Sequence, residues 1–154
     1  MPRPALQLDA FLPYRLSHTA NLVSEHVARA YEAQFGIDIA QWRVLSWVAQ
    51  SGLIAQQDIC LRTRMDKVTI SRAAIALTHR GLVERRRNPA DGRSHLLSLT
   101  AQGEALFDRI APRARALEAE IFDRFDKEKI AAFLSMLRTI DEIVLNIEDK
   151  DPHA

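Results

Sequence analysis

The chain has 154 residues, of which 47% are hydrophobic, enough for one domain with a core of ordinary size. A single cysteine, Cys60, excludes an internal disulfide framework and a cysteine-rich zinc site, and suits a reducing compartment. No run of about 18 apolar residues occurs, and the start MPRPALQLDAFLPYRL lacks a basic segment leading into an apolar one. Neither secretion nor membrane insertion is expected, and the cytoplasm is the expected address. The net charge of +1 conceals an uneven distribution. Residues 62–93 hold nine basic side chains against three acidic ones, a local balance of +6, whereas residues 1–61 and 94–154 are net negative. A basic block between acidic flanks is the footprint of nucleic-acid binding, and charge alone fits a solvated face equally well.

In chain order, Leu16, Leu22, Val23, Val27 and Tyr31 recur at three- and four-residue steps and predict a first helix over about 12–35, ended by Gly36. Asp38 or Ala40 opens a second helix, IAQWRVLSWVAQ, stopped by Ser51 and Gly52. A short third helix is expected over about 56–63. In the fourth, Asp66 is the N-cap, Ile70, Ala73, Ala74 and Leu77 form a core-facing stripe, and Gly81 ends the helix. Lys67, Thr69, Ser71, Arg72 and Ile75 fall on or near its opposite side.

After Gly81, Leu82-Val83 begins a strand, Asn88-Pro89-Ala90-Asp91-Gly92 supplies a turn, and His95-Leu96-Leu97-Ser98-Leu99 returns. A two-stranded hairpin is expected. Thr100 caps a long helix carrying Leu106, Ile110, Leu117, Ile121 and Phe125, which Pro112 should kink or loosen. A last helix over about 127–148 carries Ile130, Phe133, Leu134, Leu137, Ile140, Val144 and Ile147.

Four helices, a basic hairpin and two more helices read as mainly α with a small β-hairpin, a winged helix-turn-helix core flanked by long helices. The hydroxyls and long donors of Thr69, Ser71 and Arg72 suit base edges in a major groove, while Lys67 and the same hydroxyls suit phosphates equally well. Arg93 at the hairpin tip has the reach for a minor groove, with Asp91 placed to orient its guanidinium. Arg85, Arg86 and Arg87 alternate sides of the strand, so at most two of them face the same way and one or two meet phosphate, with Arg86 and Arg87 as the candidates. The two long apolar helices call for a partner to cover them.

Met65 to Gly103, MDKVTISRAAIALTHRGLVERRRNPADGRSHLLSLTAQG, resembles the core of the MarR (multiple antibiotic resistance regulator) family. The resemblance lies in a Thr-x-Ser-Arg-like recognition helix, Gly-Leu-Val, Asp-x-Arg in the wing and Leu-Thr-x-x-Gly after it. It implies one MarR-like domain over 1–154, with a DNA-binding region over about 38–100 and dimerisation helices over about 1–36 and 101–148. It also implies a homodimeric regulator, usually a repressor, on a palindromic double-stranded operator, released by a small aromatic ligand. For that ligand, an aromatic acid or its coenzyme A thioester, the first two helices offer Arg15, His18, Asn21, Trp42, Arg43 and Trp47, where core packing is the competing role for the tryptophans.

Cys60 sits where a small buried residue fits and reads as core rather than as a sensing thiol. The scattered histidines, 18, 26, 79, 95 and 153, form no metal pair. With no phosphate-cradling glycine loop and no nucleophile elbow, neither an enzyme nor a cofactor is expected. The alternatives to a sequence-specific regulator are a winged helix used for protein–protein contact and a non-specific DNA-binding protein without a ligand.

Overall fold

The computed structural model describes Met1 and residues 5–150. It divides into two compact units, Met1–Leu117 and a second from Glu118 onward. The first begins with a 3₁₀ turn at Leu8–Ala10, followed by α1 (Leu12–Ala28), which has Pro13 in its first turn, and the short α2 (Glu32–Phe35). The single helix expected over 12–35 is therefore broken. Between the two pieces the backbone tightens to bonds three residues apart, Ala30 N–H to Val27 O at 2.9 Å and Tyr31 N–H to Ala28 O at 3.0 Å. The residues at and beside this tight turn, Ala28, Ala30 and Tyr31, all lie in the core.

Gly36 ends α2 in the left-handed conformation, and α3 (Ile39–Ser51) follows. Asp38 is its cap: its carboxylate accepts from Gln41 N–H at 2.7 Å while the Gln41 side chain accepts from Asp38 N–H at 3.1 Å, a reciprocal capping box. β1 (Leu53–Ala55), α4 (Gln56–Thr63), α5 (Lys67–His79), β2 (Val83–Arg87) and β3 (His95–Leu99) complete the winged helix. Every residue of the expected core stripe of α5, Ile70, Ala73, Ala74 and Leu77, is buried. Ile37, Val44, Leu45, Val48, Ile59 and Leu97 join them in one cluster.

The sheet has three strands rather than the two of a hairpin. β3 pairs antiparallel with β2 from Val83↔Leu99 to Arg87↔His95, and on its other edge with β1 through Leu53↔Ser98, Ile54↔Leu97 and Ala55↔Leu96. β1 is only three residues long, too short to show alternation, and it exists because β3 offers a free edge and the Ile54–Leu97 pair is buried.

Thr100 joins the sheet to α6 (Ala101–Phe122). Its hydroxyl donates to Gly81 O at 2.6 Å and accepts from Gly103 N–H at 3.0 Å, and its own N–H reaches Leu82 O at 3.1 Å. Gly103 is buried so closely against Leu82 that a Cβ there would overlap the Leu82 carbonyl. This accounts physically for the Leu-Thr-x-x-Gly sequence. α6 continues through Pro112 without interruption, and Ile110 is buried, with Leu106, Phe107, Ala114 and Leu117 packed on the core. Phe125, assigned to the α6 stripe from sequence, lies beyond the end of the helix and is exposed.

In the second unit, α7 (Lys127–Lys150) carries no buried residue. Phe133, Leu134, Met136, Ile143, Val144, Leu145 and Ile147 are all exposed. No described helix is long and apolar enough to cross a membrane.

Candidate nucleic-acid interface

The basic block is distributed over α4, α5, β2 and the β2–β3 wing, and the fold assigns its cations to different tasks. Arg80 is exposed but engaged: its guanidinium donates to Phe35 O at 2.8 Å and Gly36 O at 3.2 Å, closing the end of α2. Arg62 lies over the Trp47 ring, 4.8 Å from its centroid. Arg85 is half-buried and donates through Nε to Gln56 Oε1 at 3.1 Å, tying β2 to the start of α4. Lys67, Arg72, Arg86, Arg87 and Arg93 remain exposed.

On α5 the cap constrains the first turn. Asp66 accepts from Thr69 N–H at 2.8 Å, and its second oxygen accepts from the Thr69 hydroxyl, also at 2.8 Å. These bonds, the backbone one foremost, hold the Asp66 carboxyl below its ordinary pKa. The hydroxyl proton of Thr69, a candidate base reader, is therefore spent inside the helix, and its oxygen is left to accept. Ser71 is half-buried and Arg72 exposed.

The wing tip is ordered by its own polar groups. Asn88 Oδ1 accepts from Ala90 N–H at 3.0 Å, and Asn88 Nδ2 donates to Ser94 Oγ at 3.1 Å. Ser94 N–H reaches Asp91 O at 3.1 Å. Asp91 was expected to orient the Arg93 guanidinium; its carboxylate instead accepts from the Arg93 backbone N–H at 3.1 Å. It shapes the turn, an Asx arrangement, and leaves the guanidinium exposed. Pairing across β3 places Arg85 and Arg87 on one face of β2 and Arg86 on the other.

Between α4, α5 and the wing lies a crevice of about 310 Å³ that brings Lys67, Ser71 and Arg93 together with Arg85, Ser94 and His95, over Gln56, Gln57 and Cys60. No carboxylate lines it. Burial, with Arg85 and Arg87 nearby, pushes the His95 imidazole below its ordinary pKa. Burial likewise raises the pKa of the half-buried Cys60 thiol, which favours the unreactive form. Gln56, Gln57 and His95 were missed in the sequence; their neighbourhood to α5 and the wing is created by the chain reversal, and no local pattern marks it.

The residues expected to hold an aromatic ligand fall in three settings. Arg15 pairs with Asp9 at 3.3 Å, and His18 stacks on Tyr14 at 5.9 Å, while His18 and Asn21 are exposed on α1. Trp42 is stacked between Tyr31, at 5.1 Å, and Phe107, at 5.6 Å. The Tyr31 phenol is raised to about 12, chiefly by burial and then by Glu32, with Arg43 acting in opposition. Trp47 lies apart, beneath Arg62. Among the described residues no group of three metal-ligating side chains gathers.

Residues 35–94, the stretch holding α3, the helix-turn-helix and most of the wing, match the model of the MarR family. Over that stretch the chain carries a MarR-type winged helix. It is similar to the transcriptional regulator HosA of Escherichia coli O111:H-, with 26% identity over 117 residues that cover 76% of this chain and 87% of HosA. Among solved structures, Sco3205 of Streptomyces coelicolor, in complex with DNA, shares the fold at a TM-score of 0.78 and 22% identity, covering 92% of this chain and 91% of that one. CouR of Rhodococcus jostii RHA1, bound to p-coumaroyl-CoA, does so at 0.76 and 23%, covering 88% and 95%. The family and the curated relatives that the chain resembles are transcriptional regulators.

Proposed function

We propose that this MarR-family regulator is a cytoplasmic homodimeric repressor that binds a palindromic double-stranded operator and leaves it when a small aromatic ligand binds. The observation that carries the DNA side is the carboxylate-free crevice in which Lys67 and Ser71 of the recognition helix α5 meet Arg93 of the wing. Arg72, exposed on the same helix, is the base reader, with Thr69 and Ser71 contributing oxygens. Arg86, Arg87 and Lys67 take phosphates, and Arg93, on a tip shaped by Asp91, takes the minor groove. Acidic flanks keep the remainder of the chain off the polyanion.

Dimerisation is supported by the exposed apolar residues of the terminal helices. On α1 these are Leu12, Leu16 and Leu22; on α7 they are seven large side chains between 45% and 62% exposed. At about 25 cal/mol per Å², leaving such surface in water is costly. A second copy, joined through the segments over about 1–36 and 101–148, covers it.

For the ligand we infer an aromatic acid or its coenzyme A thioester, a reading supported by the shared fold with CouR and its bound p-coumaroyl-CoA. Trp42, held rigid in its stack, and Trp47 supply ring walls. Arg15, His18, Asn21 and Arg43 supply the polar contacts.

Selection of bound duplexes from a random pool tests the DNA reading, with light scattering reporting mass. The expected result is a dimer recovering one palindromic motif with half-sites about 10 bp apart. A folded protein that recovers no motif, or that stays monomeric, overturns it.

A further inference from the structure

α5 exposes two distinct stripes. Lys67 and Ser71, four residues apart, line the crevice toward the wing. One position on, Val68, Arg72 and Ile75 follow one another at four- and three-residue steps and form a second stripe. That second stripe lies off the buried face of Ile70, Ala73, Ala74 and Leu77. Val68 is 57% exposed and Ile75 40% exposed, so the helix puts branched apolar side chains on either side of Arg72, at the most basic part of the molecule.

The fold does not account for Val68. It contributes nothing to the core, and a β-branched residue in the first turn of an exposed helix face is a weaker helix former than alanine. The polar side chain beside it is already engaged, because Thr69 gives its hydroxyl proton to Asp66. Beside Lys67 and the Thr69 oxygen, the first turn therefore also presents the exposed Val68 methyl groups.

In a major groove one feature is apolar: the C5-methyl of thymine. We propose that Val68 is a specificity-determining residue that packs on thymine methyl groups in each half-site, next to the base pair read by Arg72. The proposal rests on the DNA-binding reading above and adds the base chemistry that the α5 face selects. The occupant is duplex DNA because the stripe lies within a run of net +6 charge, with Arg72 at its centre. A protein partner for an apolar patch would require the loss of that charge to water-free surroundings.

The test uses the full chain and the duplex recovered by selection, with each thymine of the half-site replaced in turn by uracil, which removes only the methyl group. For the wild type, uracil at one or two positions is expected to weaken binding about fourfold per methyl. Val68→Ala should bind the thymine duplex several-fold more weakly than wild type and should no longer distinguish thymine from uracil. Its position on an exposed face predicts an unchanged melting temperature. The wild-type scan is informative whether or not the variant folds. Equal binding of all uracil duplexes by the wild type overturns the methyl readout while leaving the DNA-binding reading intact, as does an undiminished uracil penalty in Val68→Ala. Failure of the wild type to bind any duplex overturns the DNA-binding reading itself.

Discussion

Gly103→Ala probes the joint through which α6 is fixed to the winged helix. The added Cβ would lie 2.9 Å from the Leu82 carbonyl carbon and closer still to its oxygen. Both are backbone atoms, and no rotamer change relieves the contact. Restoring an ordinary separation requires α6 to move by on the order of 1 Å. Overpacking of this kind costs about 1–3 kcal/mol.

The same movement stretches the three hydrogen bonds of Thr100, at 2.6, 3.0 and 3.1 Å, and weakening such a cap adds roughly 1 kcal/mol. Alanine returns about 1 kcal/mol through its better helix propensity. The net expectation is a loss of about 2 kcal/mol, or roughly 4–8 °C in melting temperature for a chain of this size. Differential scanning calorimetry reads it directly. Gly92→Ala, where an added Cβ meets nothing within 4 Å, serves as the control and should melt as the wild type does. A Gly103→Ala protein melting within a degree of wild type would refute the close approach of α6 to Leu82.

Other outcomes separate the roles of the cations and of the buried phenol. Arg93→Ala should leave the melting temperature unchanged and lower operator affinity, with the slope of log K against log salt reduced by about 1; unaltered affinity removes the wing from the interface. Arg80→Ala should do the reverse, destabilising by about 1 kcal/mol through the loss of its bonds to Phe35 and Gly36, with the salt slope unchanged in binding assays. The Tyr31 phenol, raised to about 12 in the folded chain, favours the protonated form. Its contribution to stability is full below the ordinary value of 10 and is lost as pH rises toward 12. Absorbance titration should show a phenol ionising near 12 that is missing in Tyr31→Phe.

Much of the fold was legible in the sequence because its signals are local. Asp66, Thr100, Gly36, Gly52 and Gly81 mark helix ends through bonds and dihedrals reaching no further than a few residues. The α5 stripe follows from helical periodicity alone. The wing turn is likewise written in Asn88, Asp91 and Gly92. What failed was the extent of α1, where the backbone tightens at Ala30 and Tyr31 with no glycine or proline to mark the break, and the third strand, which a three-residue segment cannot announce.

For the candidate DNA-binding site, the sequence by itself determined the composition of the basic block and the exposed helix that carries part of it. Which cations are available to DNA was decided only by tertiary structure. Arg80 is consumed by carbonyls 44 and 45 residues away, and Arg85 by a glutamine 29 residues away. Lys67 and Arg93 become neighbours only because the sheet folds the wing back beside α5. Periodicity and capping act within one turn of helix, whereas the partner of a long flexible cation is chosen by whatever donor or acceptor the packed chain brings within about 3 Å. A count of arginines therefore points to the candidate interface, and the packing determines which of them stay clear of the carbonyl and amide oxygens that hold Arg80 and Arg85.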